Sequence, residues 1–186
     1  MSYWKSISRR PALGVLAIVG VQAAASGAYR LIEGRRSSPL TEGDFEVEPL
    51  NRQAPDLTLV HADGSALRLS QLKGKVVVLH FWATWCEPCA RELPALLTFA
   101  EQMAPMGVTL LALSLDTSWE NVATFFKGEI PREVVRGTTG EEAEAYNVTP
   151  IPQTFFINSS GEVVLRARGA RDWTRRAAAR TVLALR

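Results

Sequence analysis

The chain has 186 residues, 47% of them hydrophobic and 22% charged, with a net charge of +2. That length supports one domain with an appendage, and the composition excludes a largely disordered chain. The basic residues are scattered, apart from Arg35-Arg36 and an Arg-rich piece between Arg166 and Arg180, so there is no basic stripe of the kind nucleic acid needs.

At the N-terminus, Lys5, Arg9 and Arg10 precede an uncharged stretch from Pro11 to Tyr29. As a helix it reaches roughly 28 Å, close to the ~30 Å of a bilayer's hydrocarbon core. Ala23 and Ala25 also form an A-x-A site, so residues 1–32 read either as a transmembrane anchor or as a cleaved signal peptide. Basic residues flank the stretch on both sides and leave its orientation open. Both readings place the bulk of the chain outside the cytoplasm and bring the N-terminus to a membrane. Residues 33–53 show no sustained periodicity and contain Pro39, Gly43 and Pro49, which predicts a linker. The folded domain is expected over residues 54–186.

Regular patterning starts after Pro55. Leu57 to Val60 and Leu67 to Leu69 flank Asp63-Gly64, predicting an entrance β-hairpin. Val76 to Trp82 is an apolar, β-branched run of buried-strand type, and Ala90 to Phe99 carries apolar residues at helical spacing. A second buried strand is expected over 108–115, then a helix over 119–126 capped by Thr117 or Ser118. A short strand is expected at 133–135 and a short helix at 141–146. Two strands, 153–157 and 162–168, are joined by a loop at Asn158-Ser159-Ser160-Gly161, and a helix over 172–185 closes the chain. This order predicts an α/β fold with a central mixed sheet and helices on both faces.

The chemistry concentrates in Trp85-Cys86-Glu87-Pro88-Cys89, which holds the chain's two cysteines. Two thiols cannot staple a small secreted fold, but a CxxC between a strand and a helix can close and reopen a disulfide. Cys86 falls at the helix start, where unpaired N–H groups and the positive end of the dipole stabilise a thiolate. It is assigned as the nucleophile, and Cys89, one turn inward, as the resolving thiol. Pro88 suits an early helical position, where its missing N–H costs little. Glu87 faces solvent, and its charge opposes a thiolate at Cys86. Glu92 follows Cys89 by three residues, within roughly 60° of it around the helix. A zinc site would need two more ligands, and His61 and His80, the chain's two histidines, sit in the hairpin and in a strand interior. No metal is expected, and His80 reads as a hydrogen-bonded core residue. Trp82 reads as core, Trp85 as a candidate substrate contact, and Trp119 and Trp173 as helix-packing or surface residues.

Phe81-Trp82-Ala83-Thr84-Trp85-Cys86-Glu87-Pro88-Cys89, followed by Glu92 and Pro94, resembles the TlpA/ResA-like branch of the thioredoxin superfamily, a redoxin branch related to AhpC/TSA. The stretch Tyr146 to Ile157 resembles the same branch, and the likeness runs from about Ala54 to the C-terminus. It implies a thioredoxin-like fold with an N-terminal β-hairpin and a central insert over 116–150.

The resemblance also implies an extracytoplasmic thiol–disulfide oxidoreductase, anchored in the inner membrane facing the periplasm or secreted there. It implies a proton-handling role for Glu92 and a cis-proline at Pro152, with Pro150 as the competing position. Ile151, before that proline, becomes a substrate contact beside Trp85, Glu87 and Pro88. The expected activity is reduction of disulfides in exported proteins, apocytochrome c among them, with no cofactor beyond the Cys86–Cys89 pair. Electrons would come from a membrane donor of the CcdA/DsbD type. The alternatives are a general disulfide reductase without a dedicated substrate, and a metal-binding or chaperone protein using the CxxC pair.

Overall fold

Residues 45–186 are described by a computed structural model; the expected anchor or signal and the first part of the linker lie outside them. The sheet grows from β4 (Val76–Trp82), whose seven residues are all buried. Such a strand needs neighbours on both sides. It pairs in parallel with β5 (Val108–Ser114) and antiparallel with β7 (Gln153–Ile157). β7 pairs with β8 (Glu162–Arg168), and β8 with β1 (Glu48–Gln53) at one edge. Beyond β5 lie β6 (Val134–Gly137), then β2 (Thr58–His61) and β3 (Ala66–Arg68). The eight-stranded mixed order is β1-β8-β7-β4-β5-β6-β2-β3.

Side chains alternate along β4, so two cores form. Val77, Leu79 and Phe81 pack on one face with Tyr146, Phe155 and Leu113. Val76, Val78 and Trp82 pack on the other with α1 (Glu87–Met103) and α4 (Arg176–Leu183). The buried stripe of α1 is Cys89, Glu92, Leu93, Leu96, Phe99, Ala100 and Met103, the i, i+3, i+4 spacing of a helix lying on a sheet. The short helices α2 (Trp119–Phe125) and α3 (Glu142–Ala145) belong to the insert, and Ser118 caps α2 by accepting the N–H of Asn121.

The predicted hairpin forms as β2 and β3, with Asp63-Gly64 at its turn and Gly64 at φ +83°. Two expectations need correction. Residues 48–53, expected as linker, are strand β1, and Phe45 is buried against Trp173 and Phe156. Pro49 is tolerated because β1 is an edge strand, and Glu48 anchors it by accepting from Arg166 at 2.5 Å and Arg168 at 3.3 Å. The closing helix starts at Arg176 rather than Asp172. The Asp172 carboxylate instead closes a turn, taking the N–H and hydroxyl of Thr174 and Nε of Arg175.

Candidate active site

β4 delivers the chain to the CxxC, and the adjoining strand ends meet it there. Trp82 pairs with Ser114 at the end of β5, and Phe81 pairs with Gln153 at the start of β7. Cys86 and Cys89 form a disulfide, with Cα atoms 5.3 Å apart. Cys86 is the N-cap of α1, and its Sγ accepts the N–H of Cys89 at 3.4 Å. A sulfur in this position carries negative charge more easily than a free thiol, because it meets the helix's unpaired N–H groups. Cys86 keeps 6% of its surface and Cys89 none, so an incoming disulfide meets Cys86 first.

Trp85, Glu87 and Pro88 surround Cys86 and are all exposed, Trp85 at 70%. Glu87 pairs with Arg91 one turn later, which offsets part of the charge opposing a thiolate. Directly before β7, whose first residue pairs with Phe81 near the end of β4, Thr149–Pro150 and Ile151–Pro152 are both cis, so the two candidate prolines share one geometry. Pro152 is buried directly before β7, and Ile151 is half-buried.

Glu92 lies in the buried stripe of α1 and is only 7% exposed. Its Oε2 accepts the backbone N–H of Arg171 at 2.7 Å and Nε1–H of Trp173 at 3.1 Å. Burial pushes its pKa up to about 7, against those two hydrogen bonds and the Arg171 charge, which pull it down. A carboxyl titrating near neutrality can both take and return a proton at working pH. It reaches solvent through an open cleft of about 300 Å³ rimmed by Pro88, Arg91 and Arg171.

His80 is fully buried, with Nδ1 2.9 Å from the hydroxyl of Thr154, its cross-strand neighbour. Burial drives its pKa down to about 3, so the ring is neutral. Its Nε2 stands 3.6 Å from Glu92 Oε1, and neither atom has a hydrogen-bond partner. The contact is therefore between neutral or singly charged groups and is no ion pair. The expectation of a fully hydrogen-bonded core histidine holds for one nitrogen only.

Sequence reasoning missed three groups here. Trp173 packs in the core, one of the two roles expected for it, but its donation to Glu92 was not foreseen. His80 faces Glu92 because β4 alternation puts residue 80 on the α1 side with 78 and 82. Asp116 accepts the N–H and hydroxyl of Thr84 at 2.9 and 2.6 Å, tying the insert to the loop before Cys86. The alternation along β4 was visible in the sequence; the face that α1 covers was not. His61 is bonded to the Arg132 carbonyl on β2, three strands from β4, so it does not join His80 at a common point. Among the described residues no group of three His, Cys, Asp or Glu is placed to hold a metal ion.

Comparison with known proteins gives the same reading. The AhpC/TSA family profile matches residues 50–166. The thiol–disulfide oxidoreductase ResA of Bacillus subtilis is 39% identical over 60% of this chain and 63% of its own length. ResA of Bacillus cereus is 30% identical over 75% of this chain and 83% of its own. A thiol:disulfide interchange protein of the thioredoxin family from Chlorobium tepidum superposes with a TM-score of 0.63 at 29% identity, covering 74% of this chain and 98% of that one.

Proposed function

We propose, for a chain that belongs to the AhpC/TSA family among its ResA-like thiol–disulfide oxidoreductases, that it reduces disulfides of exported proteins outside the cytoplasm. In the reduced enzyme the Cys86 thiolate attacks one sulfur of a substrate disulfide. The substrate S–S bond breaks, its second sulfur leaves as a thiolate, and Cys86 is joined to the substrate. Cys89 then gives its proton to Glu92 and attacks Cys86. The Cys86–Cys89 bond forms as the remaining substrate sulfur leaves as a thiolate; Glu92 returns the Cys89 proton to one substrate sulfur and solvent protonates the other. Two electrons have moved from the Cys86–Cys89 dithiol to the substrate.

The observation that carries this reading is the Cys86–Cys89 disulfide at the mouth of α1, with a buried carboxyl one turn along the same helix face. Trp85, Pro88 and Ile151 offer an apolar rim to an extended polypeptide, and Pro152, next in the chain to Ile151, is buried directly before β7. The reducing direction is supported by Glu87, whose charge makes the thiolate, and so the reduced state, less favoured. A substrate class of this kind is an exported protein with its own CxxC, such as apocytochrome c. The dithiol would be restored by a membrane carrier of the CcdA/DsbD type, with the N-terminal segment as anchor or export signal.

The test is capture. In cells, a Cys89→Ser variant should accumulate mixed disulfides through Cys86 to exported CxxC proteins, while Cys86→Ser should capture none. Equal capture by both variants, or failure of the wild type to reduce insulin with a thiol donor, would remove the proposal.

A further inference from the structure

Two buried polar atoms face each other without a partner. His80 Nε2 and Glu92 Oε1 are both unbonded, 3.6 Å apart. Leaving two such atoms unsatisfied inside a core costs more than most single contacts return. The other side of the ring decides where its proton lies. Among the described residues, His80 Nδ1 is the one hydrogen-bond partner of the Thr154 hydroxyl. That hydroxyl must donate, because its proton has no other acceptor; Nδ1 then accepts, and a neutral ring carries its proton on Nε2. Nε2–H points at Oε1 of Glu92. An approach of about 0.5 Å brings the pair to ordinary hydrogen-bond length.

We propose that His80 is a positioning residue for the resolving step, a neutral ring that donates Nε2–H to the Glu92 carboxylate and so favours its unprotonated form when Cys89 must lose its proton. The inference rests on Glu92 acting as that base. With this bond the carboxylate is fully satisfied, Oε2 by Arg171 and Trp173 and Oε1 by His80. Loss of the Nε2 donor then raises the pKa of Glu92. The charged groups around it do not change with residue 80. They are Arg171, whose side chain is held by the Glu46 and Ala170 carbonyls, Asp172, and Arg91 with its partner Glu87. On its own helix the neighbouring titratable group is Cys89.

Glutamine and asparagine separate the two ring nitrogens. His80→Gln places an amide N–H near the position of Nε2, whereas His80→Asn reaches only the position of Nδ1 and Thr154. The reduced full-length protein is mixed with a chromogenic aromatic disulfide across pH 5–9. Attack by Cys86 releases the first aromatic thiolate, and attack by Cys89 releases the second. For the second release, the inflection should move up by about one pH unit or more in His80→Leu and His80→Asn, and stay near the wild-type position in His80→Gln. In the oxidised wild type, ¹⁵N shifts of His80 should report a proton on Nε2, a readout that survives if a variant fails to fold.

A proton on Nδ1, or inflections unmoved by Leu and Asn, would overturn the role of His80. Glu92→Gln tests the reading beneath it. If that variant keeps the wild-type inflection, Glu92 is not the base; if it flattens the profile while the His80 variants do not shift it, only the histidine inference fails.

Discussion

The carboxylate of Asp116 holds Thr84 by two atoms at once, the backbone N–H at 2.9 Å and the hydroxyl at 2.6 Å. Ser114 adds a third donor at 2.7 Å, and Arg136, stacked over Trp119, holds the Asp116 carbonyl at 3.0 Å. The loop that presents Trp85 and Cys86 is thus clamped from the end of β5. Asp116→Ala orphans the Thr84 and Ser114 donors, leaving the Arg136 bond to the backbone carbonyl, and should cost about 2–4 kcal/mol in urea denaturation. It should also slow the first attack by Cys86 about ten-fold, since the sulfur is no longer held at the helix cap. An Asp116→Ala protein as stable and as fast as wild type would show that the clamp does neither.

Trp85 is the one large apolar side chain left exposed among the described residues. It contributes little to the fold, so Trp85→Ala should change stability by less than about 0.5 kcal/mol. A protein substrate lying on the rim should lose an aromatic anchor, raising KM roughly ten- to thirty-fold with kcat nearly unchanged. A small aromatic disulfide, which needs no rim, should be reduced at the wild-type rate. The comparison of the two substrates is the measurement, and equal losses on both would place Trp85 in the chemistry instead.

How much of this was legible depended on range. The buried strand β4, the amphipathic helix after it and the CxxC between them are local patterns, and they were readable residue by residue. Strand β1 was not, because an edge strand with Pro49 and Glu48 carries little apolar alternation and is held by Arg166 and Arg168 from far along the chain. That Glu92 shares a helix face with Cys89 followed from its spacing; that α1 buries it there came from the packing. Its partners were not legible either, because Trp173 is 81 positions away and His80 reaches it only through the packing of α1 on the sheet. The Asp116 clamp likewise joins residues 32 positions apart, across the two parallel strands β4 and β5.

Trp173 does two things that one substitution can separate. Its ring packs on Phe45 and Phe99, with centroids 5.1 and 5.2 Å away, while Nε1–H donates to Glu92. Trp173→Phe keeps most of the packing and removes the donor. The carboxylate is weakened more than the acid, so the Glu92 pKa should rise by about one unit. The stability cost should therefore be larger at pH 8 than at pH 5, by about 1 kcal/mol. Denaturation of the oxidised variant at the two pH values checks this, and a pH-independent cost would mean that only packing was lost.

Glu92 and His80 pull the stability–pH curve in opposite directions. The native Glu92 keeps its proton up to about pH 7, while in the unfolded chain it is released near 4.5. Its contribution is full below 4.5 and is lost as pH rises through 7, a change on the order of 3 kcal/mol. The native His80 stays neutral down to about pH 3, whereas the unfolded ring is protonated below 6.5. Its contribution is full above 6.5 and is lost as pH falls through 3, on the order of 5 kcal/mol. Between 4.5 and 6.5 the two slopes cancel, so wild type alone hides both. Subtracting variants separates them in urea denaturation of the oxidised protein. The advantage of wild type over Glu92→Gln should shrink from pH 4 to pH 8, and that over His80→Gln should shrink from pH 7 to pH 3. Were the first difference constant with pH, Glu92 would carry the same charge folded and unfolded, and could not be the group that takes the Cys89 proton near neutrality.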